Sequence, residues 1–243
     1  MPRGPRLDAP NALHHVMARG IERGAIFCDD RDRTDFLFRL AGLATAGQLA
    51  VYAWALLTNH VHLLLRTGGV SLSRSMHRLF GGYASAFNTR HQRVGYLFQS
   101  RFKSIVAQEE PYLRELVRYI HLNPLRAHVV ADLETLERYE WTGHAALLGH
   151  RSRPWQDTEF VLRQFGSALD SARHAYRVFV ADGLTLGVRR ARLGRRGFRR
   201  RAGRRDRGSP HTAHGQHRRS RLRARGPAIC GLSVRPPDCR DHD

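Results

Sequence analysis

An abrupt change in composition after Leu186 limits where this chain can fold. Residues 187–243 contain 18 Arg, no Lys and 4 Asp, a net charge of +14, with few large apolar residues and no sustained helix or strand period. Residues 1–186 hold the other 23 basic and 17 acidic side chains, a net charge of +6. A segment with so little apolar surface cannot offset the entropy lost on folding. We therefore expect residues 187–243 to form a disordered basic tail and the fold to lie upstream.

Two interpretations of this tail stay open. An arginine-rich arm could hold the phosphates of a nucleic acid. The bias towards arginine, with Lys103 the only lysine of the chain, also fits a shifted reading frame in a GC-rich gene. Under both interpretations the fold lies upstream of the tail.

The order of apolar segments in the first 130 residues predicts the class of fold. Short runs of strand character alternate with stretches of helical periodicity in the order β-α-β-β-α-β-α. The predicted strands span 11–19, 51–57, 60–66 and 102–108. The predicted cap of the first helix is Asp30 or Asp32, that of the second is Ser71 or Ser73, and a third helix is predicted to begin at Pro111. Short connections in this order favour a ferredoxin-like α+β fold, with helices over one face of a mostly antiparallel sheet.

The chain divides into three predicted parts. Residues 1–130 form the main domain, residues 131–186 a helical extension with helices near 157–165 and 167–181, and residues 187–243 the tail. No run of eighteen apolar residues occurs, and the first residues lack the apolar stretch of a signal peptide. We expect a cytoplasmic protein that does not enter a membrane, and reduced thiols at its three cysteines, which include no CxxC pair.

Two histidines stand at alternate positions of the third predicted strand. His60 and His62 flank Val61, so their imidazoles project from the same face of the sheet. Their backbones lie roughly 6.5 Å apart, a separation from which two imidazoles can converge on one divalent cation. A pair of half-buried, hydrogen-bonded structural histidines would give the same pattern.

A tyrosine and an asparagine share one face of the last helix of the main domain. Tyr119 and Asn123 are four residues apart in the predicted helix 111–124. A tyrosine hydroxyl can act as a covalent nucleophile, and an amide oxygen suits a hard cation. Tyr119 could equally be a packing residue with a solvated hydroxyl.

Cations and aromatic rings are interleaved in the segment before this helix. Single-stranded nucleic acids are bound by stacking platforms beside cations. The residues with this pattern are Tyr83, Phe87, Arg90, Arg93, Tyr96, Phe98, Arg101, Phe102 and Lys103. Core packing of the aromatic rings is the competing interpretation. Arg19 and Arg23, beside the glycines of the first turn, are further candidates for phosphate contacts, although exposed arginines are common without a ligand.

Four motifs in this order resemble the single-tyrosine HUH transposases, and specifically the branch of REP-associated tyrosine transposases. The similarity covers about residues 11–182 and rests on ALHHVMARGIERGAIF, NHVHLLL, GYLFQSRFKS and LVRYIHLNPLRA. By this resemblance His60 and His62 match the paired histidines of the HUH motif, Tyr119 matches the catalytic tyrosine, and Asn123 matches the third protein ligand of the metal.

The resemblance implies a ferredoxin-like fold, Mg²⁺ or Mn²⁺ as cofactor, and single-stranded DNA with hairpin-forming repeats as substrate. The expected activity is nicking and rejoining of DNA through a 5′-phosphotyrosine intermediate, by a bacterial, nucleoid-associated monomer or homodimer. A rival hypothesis is a DNA-hairpin-binding regulatory module that does not cleave. We expect the DNA contacts to include Arg19, Arg23, Arg90, Arg93, Arg101 and Lys103.

Overall fold

The computed structural model describes residues 11–107 and 112–185, which all belong to one compact unit. The predicted tail, the first ten residues and Pro111 lie outside the described residues. Among the described helices, none is both long and apolar enough to span a lipid bilayer.

Four strands form a single antiparallel sheet. They are β1 (Leu13–Arg19), β2 (Leu49–Leu57), β3 (His60–Thr67) and β4 (Lys103–Ala107). The strand order is β2-β3-β1-β4, and every neighbouring pair is antiparallel. This is the order that a β-α-β-β-α-β chain adopts when each helix crosses over the sheet. The predicted ferredoxin-like α+β class is confirmed.

The first two crossovers place helices on one face of the sheet. They comprise α1 (Asp30–Thr45), α2 (Leu72–Met76), a π-helical turn (His77–Gly81) and α3 (Gly82–Arg90). Their apolar side chains and the inward residues of the strands form one core cluster, which includes Val16, Phe36, Trp54, Leu63 and Tyr83. Ser71 caps α2, as predicted. The cap of α1 is Asp29, rather than Asp30 or Asp32, because Asp29 has the extended backbone that a cap requires.

The remaining helices cover the opposite face, so helices pack on both faces and not on one alone. They are α4 (Leu113–His121), α5 (Asn123–Arg126), α6 (Leu133–Arg138), α7 (His144–Leu148), α8 (Thr158–Leu162) and α9 (Leu169–Thr185). A second core cluster includes Leu13, Leu64, Val117, Leu147 and Tyr176. Strand β2 carries the sequence signal for this arrangement, because it is an uninterrupted apolar run and is buried from Val51 to Leu57.

The C-terminal helices are more numerous than the sequence predicted. Helices α8 and α9 lie where helices were expected, but α6 and α7 were missed, since helices of five or six residues are too short to show a period. The predicted helix 111–124 is two helices, because α4 ends at His121 and Pro124 lies in the first turn of α5. The boundary proposed near residue 130 stays a prediction.

Candidate active site

The face of the sheet beneath α4 carries the paired histidines. In β3, His60 lies opposite Arg19 and His62 lies opposite Met17 of β1. Residues directly opposite in an antiparallel pair share a face, so His15, two residues before Met17, projects from this face as well. The pairing of β1 with β3 thus brings three imidazoles to one end of the sheet.

His62 is fixed by a hydrogen bond to His15. The distance from His62 Nδ1 to His15 Nε2 is 3.0 Å, and the two rings stack with their centroids 5.2 Å apart. Burial lowers the pKa of His15 to about 4 and that of His62 well below its usual 6.5. Both rings are therefore neutral near pH 7. A role for His62 Nε2 as a metal ligand requires that the His62 Nδ1–H donate to His15, which leaves the lone pair on Nε2.

His60 is fixed in the same way by its neighbour in the chain. Its Nδ1 lies 2.7 Å from the side-chain oxygen of Asn59, and the Asn59 amide nitrogen donates to the carbonyl of Arg23 at 3.0 Å. Burial and then the charge of Arg19 lower the pKa of His60 to about 4. Because the Asn59 oxygen can only accept, His60 carries its proton on Nδ1 and its Nε2 is left as a ligand atom.

Helix α4 places Tyr119 over these histidines. The Tyr119 ring meets His62 and His15 edge-on, with centroid separations of 5.8 and 5.9 Å. Asn123, the first residue of α5, donates from its amide nitrogen to the Tyr119 carbonyl at 2.9 Å. This bond directs the amide and leaves the Asn123 oxygen as an acceptor. The four-residue spacing thus keeps Tyr119 and Asn123 together, although a helix boundary falls between them.

Arg126 lies over the Tyr119 ring. Its guanidinium carbon is 5.6 Å from the ring centroid, within the range of a cation–π contact, and Nη2 donates to the carbonyl of Gly183 in α9 at 3.5 Å. Arg126 therefore connects the Tyr119 ring to α9.

The atoms left over by these hydrogen bonds suit a divalent cation. His60 and His62 each present Nε2, and Asn123 presents an amide oxygen. Low pKa values keep both imidazoles in the neutral, ligating form. Two nitrogen ligands and one oxygen ligand, with positions left for phosphate oxygens or water, fit Mn²⁺, and also Mg²⁺ when those positions are filled by oxygen.

Two of the predicted DNA-binding cations share the face of the histidines. Arg19 is exposed and lies opposite His60. Lys103 is also exposed, and it lies in β4 opposite Met17, which in turn lies opposite His62. Arg23 and Arg101 are exposed beside this end of the sheet. The positions of Arg101 and Lys103 on either side of Phe102 predict that both lie on one face of a strand. This prediction is wrong, because Arg101 precedes β4.

The other two predicted cations have contacts within the protein. Arg90 forms ion pairs with Asp29 and Asp32, which tie the end of α3 to the start of α1. The Arg93 guanidinium lies 5.8 Å from the Phe87 ring and donates to the Asn88 side chain at 3.4 Å. Arg90 therefore has a structural role, while a DNA contact by either arginine stays a prediction.

A separate group of metal-ligating residue types lies at the start of α1. Ligand atoms of Cys28, Asp32 and His91 fall within 4.8 Å of one another. The Asp32 carboxylate already accepts from Arg90, from His91 and from the Cys28 backbone amide. A guanidinium in ion-pair contact supplies the positive charge that this carboxylate needs, so we assign the group to packing.

Two residues of the site, His15 and Asn59, were not predicted from the sequence. Asn59 is the first residue of the NHVHLLL motif, and its position just before His60 was the sequence signal for its role. For His15 the signal was its alternation with Met17 and Arg19 along β1. That signal acquires meaning only with the register between β1 and β3, which a single sequence does not reveal.

Comparisons with known proteins agree with this fold. The family model described as IS200-like transposases matches residues 9–123. A solved structure of a REP-associated tyrosine transposase bound to a REP hairpin is similar, with 14% identity, a TM-score of 0.51, and coverage of 64% of this chain and 90% of that one.

A candidate transposase from Deinococcus radiodurans shows 19% identity and a TM-score of 0.35, over 49% of this chain and 94% of its own. That TM-score is too low to support an argument. No curated protein matches the chain at a significant level.

Proposed function

We propose that the chain is an IS200-like transposase, because the model of that family matches residues 9–123, and that it acts on single-stranded DNA with Tyr119 as its nucleophile. His60, His62 and Asn123 are the proposed metal ligands. The observation that carries the proposal is the placement of the Tyr119 ring 5.8 Å from His62, whose Nε2 is left as a ligand atom.

A bound Mg²⁺ or Mn²⁺ ion would supply polarisation of a phosphoryl oxygen and charge neutralisation in the transition state. The residues of the chain position the metal ligands and the nucleophile. Asn59 and His15 orient the two imidazoles, and the contact of Asn123 with the Tyr119 carbonyl couples the third ligand to the nucleophile. Ligands held in this way lose little freedom on binding.

Tyr119 acts by attack of its phenolic oxygen on phosphorus. The new bond joins Oη to phosphorus, the bond to the 3′-oxygen breaks, and that oxygen leaves as a 3′-hydroxyl after taking up a proton. The product is a 5′-phosphotyrosine, which another 3′-hydroxyl can reverse, so strands are rejoined without ATP. Arg126, whose guanidinium lies over the ring, holds the Tyr119 side chain in place for this attack.

The proposed substrate is a DNA hairpin from repeats, as in the REP-associated branch. The similar solved structure has a REP hairpin bound. In this chain, Arg19 and Lys103 supply positive charge on the face of the histidines, where phosphates would lie. We propose that the protein works on such repeats in the nucleoid of the bacterial cytoplasm.

We also propose that a monomer is the active form. Tyr119 and the histidines of the same chain are in contact, so the site needs no tyrosine helix from a second subunit. A homodimer that exchanges α4 would have to separate this helix from the core residues Val117 and Ile120 that hold it.

The test uses labelled single-stranded hairpins from palindromic repeats of the source genome, with Mn²⁺, Mg²⁺ or EDTA. Nicks and covalent protein–DNA adducts are scored on a denaturing gel. We expect metal-dependent adducts with the wild type and with the matched control Tyr112→Phe, which changes an exposed tyrosine at the start of α4. We expect none with Tyr119→Phe or His60→Ala. Binding without adducts by the wild type would favour the regulatory module and overturn the proposal.

A further inference from the structure

One aromatic ring of the segment before β4 has no place in a core. Tyr83 and Phe87 are buried, and Phe98 and Phe102 pack against the first core cluster. Tyr96 is 84% exposed. The interpretation as core packing is therefore correct for Tyr83, Phe87, Phe98 and Phe102. Tyr96 is the exception. Val94, two residues earlier, is 85% exposed, so the loop presents an apolar tip to solvent.

The loop is held in place at both ends. Gly95, between Val94 and Tyr96, has φ +100°, a conformation that glycine adopts without strain, and its carbonyl accepts from the Asn88 side chain at 2.9 Å. Beyond the tip, Leu97 accepts from the Ile21 amide at 3.0 Å. The tip is therefore pinned on each side, and an ordered ring loses little entropy when it binds.

The loop lies next to the candidate active site. Gln99 donates from its amide to the Arg19 carbonyl at 2.9 Å, and Phe98 pairs with Gly20. Arg19 is itself opposite His60. The backbone just beyond Tyr96 is thus paired with the end of β1 that lies opposite His60.

The charge around the tip favours an anionic partner. No acidic residue occurs between residues 36 and 108, while Arg93, Arg101 and Lys103 surround the loop in sequence. Glu22, in the 3-10 turn that pairs with the loop, is balanced by Arg23 beside it. An exposed ring among cations is the arrangement that binds an unpaired base and its phosphates.

We propose that Tyr96 stacks on an unpaired DNA base next to the hairpin, with Val94 extending the apolar surface. The partner is single-stranded DNA, because a base inside a duplex offers no free face to a ring. This inference rests on the proposed function and adds to it the contact that selects the single-stranded segment beside the cleavage site.

The test measures the affinity of the full chain for two DNA probes with the same stem. One is a hairpin with a single-stranded extension at the foot of the stem, and the other is a blunt hairpin. We expect Tyr96→Ala to weaken binding of the extended hairpin by about 5- to 150-fold, the range for loss of one base–aromatic stack. We expect Tyr96→Phe to bind like the wild type, because it keeps the ring.

Two control variants separate stacking from charge and from general exposure. Phe38→Ala removes another exposed ring, 77% exposed on α1, and should leave binding unchanged. Arg101→Ala should reduce the dependence of log K on log salt by about 0.7, whereas Tyr96→Ala should leave that slope as it is.

Each result has a distinct meaning. Wild-type affinity of Tyr96→Ala for the extended hairpin would overturn the stacking contact and leave the proposed function standing. An equal loss on the blunt hairpin would overturn the preference for an unpaired base. Failure of the wild type to bind either probe would overturn the proposed function, and the stacking contact with it.

Discussion

At the scale of single residues, each histidine proposed as a metal ligand uses one ring nitrogen for a hydrogen bond within the protein. His60 uses Nδ1 for Asn59, and His62 uses Nδ1 for His15. A partner on Nδ1 fixes both the tautomer and the direction of Nε2. His15 is therefore a positioning residue, and its importance should appear in metal affinity rather than in the fold alone.

We predict that His15→Leu lowers Mn²⁺ affinity by about 10- to 100-fold, the usual effect of losing such a partner. His15→Gln, which can still accept a hydrogen bond, should retain part of the affinity. Titration calorimetry with Mn²⁺ measures both variants, and His77→Gln, at an exposed histidine, is the control. Unchanged affinity in His15→Leu would show that His62 needs no partner.

The residues of the site differ in how far the sequence could predict them. His60, His62, Tyr119 and Asn123 were predicted because each sits in a motif with a local period, two along a strand or four along a helix. The ion pairs of Arg90 were not predicted, because Asp29 and Asp32 precede Arg90 by about 60 residues and only the fold brings them together.

At the scale of secondary-structure elements, a buried polar network fixes α4, the helix that carries the proposed nucleophile. The Tyr176 hydroxyl of α9 lies 2.7 Å from His121 Nδ1 in α4 and 2.6 Å from His144 Nδ1 in α7. Among the described residues, the buried His121 Nε2 has no hydrogen-bond partner. We infer that His121 donates from Nδ1 to Tyr176, which leaves an unprotonated Nε2, and that Tyr176 donates to His144.

This network should make folding stability sensitive to acid. Burial lowers the pKa of His144 from 6.5 to about 3, and the charges of His150 and Arg177 act in the same direction. Between these pH values the unfolded chain holds more protons at this histidine, so the free energy of unfolding falls as the pH is lowered. Burial and the neighbouring His144 also lower the pKa of His121, so this histidine likewise makes the free energy of unfolding fall as the pH is lowered.

We predict that the wild type loses stability between pH 7 and pH 5, at about 1.4 kcal/mol per pH unit for each such proton. Urea melts of the wild type and of His144→Gln at the two pH values measure this. The variant should be less stable at pH 7 but less sensitive to acid. Equal pH slopes for the two proteins would contradict the assignment.

The elements themselves could be predicted where an apolar period is long enough. Helix α1 has such a period, β2 and β3 have apolar runs of strand length, and the structure contains all three. Helices α6 and α7 have too few residues for a period, and α7 lies in a core with Leu13 and Leu64 that forms only after the sheet exists. The packing of helices on both faces of the sheet likewise depends on tertiary contacts and does not follow from the strand order alone.

At the scale of the whole molecule, the positive charge is divided unequally between two parts of the chain. Residues 187–243 carry +14 and residues 1–186 carry +6. Charge of one sign attracts any polyanion, whatever its sequence, and its effect falls steeply with salt. Sequence-selective binding should therefore depend on the face of the sheet with Arg19 and Lys103, and non-selective binding on residues 187–243.

We predict that deletion of residues 187–243 leaves the fold intact, because the described core involves none of these residues. Affinity for random single-stranded DNA and its salt dependence should both fall. Circular dichroism and binding isotherms at several salt concentrations test this. A truncated chain that is insoluble or unfolded would contradict the assignment of the fold to residues 1–186.

The most direct test of the central claim locates the covalent bond between protein and DNA. Adducts formed by the wild type with a hairpin and Mn²⁺ are digested with nuclease and trypsin, and the peptides are analysed by mass spectrometry. Cleavage after Arg118 and Arg126 releases residues 119–126, which contain a single tyrosine. We predict that this peptide carries the nucleotide mass, on Tyr119. A nucleotide on Tyr112, on Tyr96 or on any other side chain would contradict the account.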